Sequence, residues 1–132
     1  MGRQLSRLER ELGEITATFF QAKLGVKPRA VHVLEEEEGD LVVIKVGGFL
    51  TKAEAAVAQH GEDHRILDDY YSRVLERLFP LLSVVVEELA GRSLLGCRTA
   101  LDLPRDECLY LLTLGAKGPV GNAVPQTLKE IE

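Results

Sequence analysis

Sulfur is scarce in this chain, long apolar runs are missing, and positive charge is not in surplus. The only cysteines are Cys97 and Cys108. They fall in the two arms of one expected hairpin. With its turn near Pro104-Arg105-Asp106, Cys108 sits opposite roughly Asp102, beyond disulfide reach of Cys97. Two reduced, partly buried thiols are expected, and with them a cytoplasmic protein. No apolar stretch reaches the roughly 18 residues that span a bilayer. The N-terminus lacks the apolar core of a signal peptide. A net charge of −5 argues against nucleic acid, whose phosphates call for a basic face. Neither GxGxxG nor GxxxxGK followed by Ser or Thr occurs, so Gly47-Gly48 reads as a bend rather than a phosphate loop.

What is present suits one soluble domain with its own core. The 132 residues are 45% hydrophobic and 28% charged. The chain is organised around DLVVIKVGGFLTKAE, Asp40 to Glu54. Leu41 to Val46 has the composition of a buried strand. Gly47-Gly48 removes side chains where the chain bends or another backbone comes close. Thr51 is a good N-cap, and Glu54 can reach back to complete a capping box. A central strand thus runs through a glycine pivot into a helix.

Upstream, Leu5, Leu8, Leu12, Ile15, Phe19 and Ala22 form one stripe of a helix that Gly25 ends. Arg3, Arg7, Glu9, Arg10, Glu11 and Glu14 occupy its other faces, where charges can pair. At about three heptads the stripe is short for a coiled coil, and packing on the domain's own sheet is the simpler account. Arg29 to Glu35 is the first strand, with Val31 and Val33 on one face and His32 on the other. The turn Glu36–Asp40 then makes an antiparallel hairpin with the central strand.

Thr51 to Gln59 reads as a short helix broken at Gly61, and Glu62 to Ala90 as a long one. Pro80 lacks a donor and clashes with the Glu76 carbonyl, so the long helix kinks or divides there. Gly91 is its C-cap. Ser93 to Leu103 and Glu107 to Gly115 are the last two strands, the former placing Leu95, Cys97, Thr99, Leu101 and Leu103 on one face. Residues 1–116 form one domain in this reading, and 117–132 a loose tail. The order helix, two strands, two helices, two strands predicts an α+β fold, a two-layer sandwich with an antiparallel four-stranded sheet.

Chemistry is thinly represented. His60 and His64 stand four apart, as in helical zinc sites, but Gly61 separates them and HGEDH is not HExxH. Both remain weak metal candidates, and no cofactor is expected. Glu35 to Glu38 with Asp40 point in diverging directions along a hairpin, so they read as a solvated tip rather than a cation site. Cys97 lacks a partnered base and reads as an inert thiol. Asp68-Asp69-Tyr70-Tyr71 places acids at a helix start and phenols where a core meets solvent, an interaction edge. No acid, base and pocket come together.

Several stretches do form a recognisable pattern. They are the strand, glycine and Leu-Thr-x-Ala-Glu of 40–54, the Val-Glu-x-x-x-Gly-Arg run from Val86 to Arg92, the Leu101–Asp106 hairpin and the closing strand Cys108–Leu114. Together they resemble the MpsC family from the first helix through Leu114. Pro80 and the tail after Gly115 depart from that pattern. The resemblance implies a soluble component of a bacterial sodium-translocating, membrane-potential-generating system, with no active-site residues to carry over. It leads to the expectation of a non-enzymatic accessory or regulatory protein, cytoplasmic and peripheral to the membrane, with membrane transporter subunits as partners. Gly47, Gly48, Thr51, Glu54, Gly91 and Arg92 are its expected structural and interaction residues. A homodimer is expected from the helix stripe and the hairpin edges. The alternative is a small-molecule-binding module with a pocket between sheet and long helix, near Thr51 or Tyr70.

Overall fold

The computed structural model describes residues 5–59 and 64–116. In chain order it has α1 (Arg7–Leu24), β1 (Ala30–Glu35), β2 (Leu41–Gly47), α2 (Lys52–Ala58), α3 (His64–Glu76), α4 (Phe79–Ala90), β3 (Leu94–Asp102) and β4 (Glu107–Leu114). A short 3-10 turn, Leu103–Arg105, joins β3 to β4. The four strands pair antiparallel in the order β1-β2-β4-β3, with β2 central as its composition predicts. The α+β class and the element order are those expected from the sequence. Strand order was not legible there.

Among the described residues, helices cover one face of the sheet and none covers the other. Val42, Ile44 and Val46 of β2 are fully buried, as are Tyr110 and Leu112 of β4. The intervening Val43, Leu109 and Leu111 are only half-buried, and Lys45 is exposed. The near-continuous apolar run of β2 therefore marks a strand that is apolar on both faces but buried on one. On the covered face, rings of Phe20, Phe49 and Tyr71 follow one another at centroid spacings of 5.4 Å. Burying such rings is among the larger favourable terms in a core of this size.

The α1 stripe packs on the chain's own β1 and α4, with Leu8, Leu12 and Phe19 in the core. Gly25 ends the helix in the left-handed conformation at φ 72°. Glu9, expected on a charged outer face, is instead buried, 1% exposed. Its Oε1 accepts the Ser6 N–H at 2.8 Å, while Ser6 Oγ accepts the Glu9 N–H at 3.1 Å, a capping box. Its Oε2 accepts the Glu35 N–H at 2.8 Å, tying the start of α1 to the end of β1.

Residues 64–90 divide just before Pro80, where the division was expected, with α3 ending at Glu76 and α4 starting at Phe79. The break at Gly61 lies outside the described residues. Leu95 also departs from expectation: it is 66% exposed, and Leu94 takes the core position. The cause is an irregularity in register between Leu94 and Gly96, which turns the first residue pair of β3 over.

Candidate functional site

The six residues singled out in the sequence form two separate joints at opposite ends of the sheet. The first is where β2 leaves the sheet. Gly48 has φ 75°, and a Cβ there would run into Arg29 Nε and lie 2.7 Å from Arg29 Cβ. A glycine is required on both counts. The Gly48 N–H donates to the Asp106 carbonyl at 2.9 Å, and its own carbonyl accepts the Arg29 N–H at 3.2 Å. The pivot is thus a point of close backbone approach between three strand ends.

Asp106 is the residue the sequence reading treated only as turn. It is left-handed at φ 57°, and its Oδ1 accepts the N–H groups of Phe49 at 2.8 Å and Leu50 at 3.0 Å. One carboxylate therefore holds the two amides that follow the pivot, and its carbonyl holds the pivot itself. The available signal was an acidic residue closing a Pro-containing turn, a position that tolerates left-handed backbone. Its spatial partners, 56 and 57 residues away, leave no local mark.

Thr51 and Glu54 form the expected capping box. The Thr51 N–H donates to Glu54 Oε1 at 3.0 Å and the Glu54 N–H to Thr51 Oγ1 at 3.1 Å. The Tyr71 hydroxyl then donates to the same Glu54 oxygen at 2.8 Å, joining α2 to α3. Burial, the Glu54 hydrogen bond and its charge all push the Tyr71 phenol well above its ordinary range. Of the expected interaction edge, Tyr71 is buried and Tyr70 is half-exposed. Asp68 pairs with His64 Nδ1 at 2.7 Å.

The second joint lies at the opposite end of the sheet. Gly91 caps α4 at φ 66°, and the chain turns at once into Arg92. The Arg92 side chain is 10% exposed. Its Nη2 pairs with Asp40 Oδ1 at 2.7 Å, and it donates to the carbonyls of Gly39 and Gly115. A planar fork with several donors suits three acceptors from two different segments. Arg92 fastens the β1–β2 turn to the end of β4, where the Leu114 N–H also donates to the Asp40 carbonyl at 2.9 Å.

Neither joint gathers a reacting set of groups. Cys97 and Cys108 are both free thiols; they stand opposite Leu112 and Leu101 in the β3–β4 ladder. Burial, then the charge of Asp106, pushes the Cys108 thiol up to about 12. Burial raises that of Cys97 as well. His60 lies outside the described residues, and His64 is engaged with Asp68. Among the described residues, no three of His, Cys, Asp and Glu lie close enough together to hold a metal. A cavity of about 280 Å³ does open between the α3–α4 break and β3, lined by Leu75, Glu76, Phe79, Cys97 and Thr99.

Away from both joints lies the face of the sheet that no described helix covers. Leu34, Val43, Leu111 and Arg98 are neighbours in one row across all four strands. His32, Lys45, Leu109 and Ala100 make the adjoining row. Leu34 is 54% exposed. Among the described residues no helix is long and apolar enough to cross a membrane.

No curated protein and no solved structure matches the chain. A family model does, that of the Na+-translocating membrane potential-generating system (MpsC), over residues 4–115. The stretch spans both joints and all four strands, and the chain belongs to the MpsC family.

Proposed function

We propose that the chain is a non-enzymatic accessory or regulatory protein of a membrane-potential-generating sodium-transport system, docking on one of its membrane subunits from the cytoplasmic side. Family membership supports the system, and the uncovered sheet face carries the mode of docking. An apolar row of Leu34, Val43 and Leu111 flanked by Lys45 and Arg98 suits an apolar segment with acidic flanks. Gly47, Gly48, Thr51, Glu54, Gly91 and Arg92 hold the frame that presents this face, and act as joints rather than contacts.

The test is a tagged pulldown from gently solubilised native membranes, read by mass spectrometry. Recovery of a membrane-spanning subunit of an ion-transport system is expected. Recovery of no membrane protein would overturn the reading.

The outer edge of β3 has no strand partner among the described residues. We place a second copy of the chain there, since a free edge is a template for pairing. Light scattering should give a mass near twice 14.6 kDa, and a monomer would contradict the placement.

The cavity beside Cys97 and Thr99 favours a second reading, a small-molecule-binding module. Thermal-shift screening of apolar ligands would support it if a hit lost its effect in Thr99→Trp.

A further inference from the structure

The protein is acidic overall, yet one groove on its helical side is basic. The end of α1 and the outer face of α3 enclose about 510 Å³, lined by Lys23, Asp69, Tyr70, Arg73, Val74 and Arg77. That volume falls within the range of ordinary ligand sites. Tyr70 and Arg73 stand three apart on one stripe of α3, and Arg77 follows in the turn just past its C-terminal end. Lys23 reaches the same groove from the last turn of α1.

The charges in this groove are not balanced from within. Asp69 meets Arg73 at 3.9 Å, with both side chains more than three-quarters exposed, which contributes little. Lys23 and Arg77 have no ion-pair partner among the described residues. Helix dipoles favour a cation at each C-terminus. They do not require two helix ends to converge three cations on one concavity, where like charges repel. An anion in the groove would relieve that repulsion.

Two guanidinium forks match phosphate oxygens bidentately, and a nearby phenol hydroxyl adds a donor. The Tyr70 ring is steadied by an edge-on contact with Tyr71, centroids 5.2 Å apart. Beside the groove Ile66 is 74% exposed, one turn before Tyr70 on the same stripe.

We propose that this groove binds a phosphate-bearing anion, through Lys23, Tyr70, Arg73 and Arg77. It is a site separate from the uncovered sheet face and stands whether or not that face docks a transport subunit. The phosphate is either a lipid headgroup or that of a soluble compound.

The full-length chain would be tested by sedimentation with phosphatidylglycerol vesicles, with phosphatidylcholine vesicles as the neutral reference. Calorimetric titration with pyrophosphate forms the second arm. Binding to phosphatidylglycerol alone assigns the headgroup, and binding to pyrophosphate alone assigns a soluble phosphate compound. Binding to both shows recognition of phosphate as such.

The double variant R73E/R77E should weaken whichever binding is seen by about tenfold or more, because it replaces two cationic donors with repelling carboxylates. The variant R10E/K52E makes the same change in net charge at exposed positions elsewhere, and should bind like the parent. Unchanged circular dichroism would show that both variants fold. Absence of binding in both arms overturns the proposal. So does an equal loss in the two double variants, which would show only the effect of net charge.

Discussion

At the scale of the residue, two glycines that look alike in sequence serve different needs. Gly25 and Gly48 both have φ above 70°, but a Cβ at Gly25 meets nothing within 4 Å. At Gly48 it collides with Arg29, including the Arg29 Cβ, which cannot swing aside. Gly25→Ala should cost about 1 kcal/mol, the price of left-handed backbone alone. Gly48→Ala should cost at least ~1 kcal/mol more, because backbone strain and collision act together. Urea unfolding of the two variants measures the difference, and equal midpoints would show that Arg29 yields freely.

Cys108 gives a second prediction at this scale. Its thiol is raised to about 12 in the folded chain, against roughly 8.5 when unfolded. The folded state therefore holds its proton while the unfolded state releases it. Stability from this group is complete below the unfolded value and is lost as pH rises from there toward 12. Between about pH 8 and 9.5 the parent should lose about 1 kcal/mol more than Cys108→Ala. Parallel slopes for the two proteins would contradict the assignment.

At the scale of the element, the α3–α4 break shows how far local chemistry reached. Pro80 located it, because a proline ring and a missing donor are visible in sequence. What holds the break is not local. The Tyr110 hydroxyl, on β4, donates to the Leu75 carbonyl at 3.2 Å, and Leu78 is fully buried between the two helices. Pro80 itself sits in the first turn of α4, where its absent N–H would have had no helical partner. Pro80→Ala should leave helix content unchanged, while Tyr110→Phe should cost about 1 kcal/mol through the lost hydrogen bond. A rise in far-ultraviolet helicity in Pro80→Ala would mean that proline alone divides the helix.

Elements whose signals are local were legible for the same reason. The Thr51–Glu54 box, the Gly25 and Gly91 caps and the β1–β2 turn each occupy a few neighbouring residues. Glu9 was misplaced because a charged residue at a helix start reads as surface. Only the fold shows that its second oxygen serves Glu35, 26 residues away. Leu95 was misplaced because alternation cannot register an irregularity in pairing before the partner strand is known.

At the scale of the whole molecule, the parts are fastened by residues whose partners are remote. Asp106 closes one end of the sheet and Arg92 the other. Arg92→Lys keeps the charge but cannot present a fork to three acceptors. It should cost about 2 kcal/mol and speed hydrogen exchange at the Leu114 amide, which the β1–β2 turn covers. Exchange unchanged from the parent would show that the turn holds without the fork. Which face of the sheet stays uncovered is likewise a whole-molecule property. Leu41 to Val46 reads as a buried strand in the sequence, and only the placement of α1, α3 and α4 against the other face leaves Val43 half-buried, along with Leu109 and Leu111 of β4.

The central claim is that the joints hold the frame while the uncovered face makes the contact. The most direct measurement is the membrane pulldown repeated with two folded variants. One carries Leu34→Glu and Arg98→Glu on the face, and the other carries Thr51→Ala at the joint. The account predicts that the transport subunit is recovered with Thr51→Ala and lost with the face variant. Recovery with the face variant, or loss with Thr51→Ala alone, would contradict it.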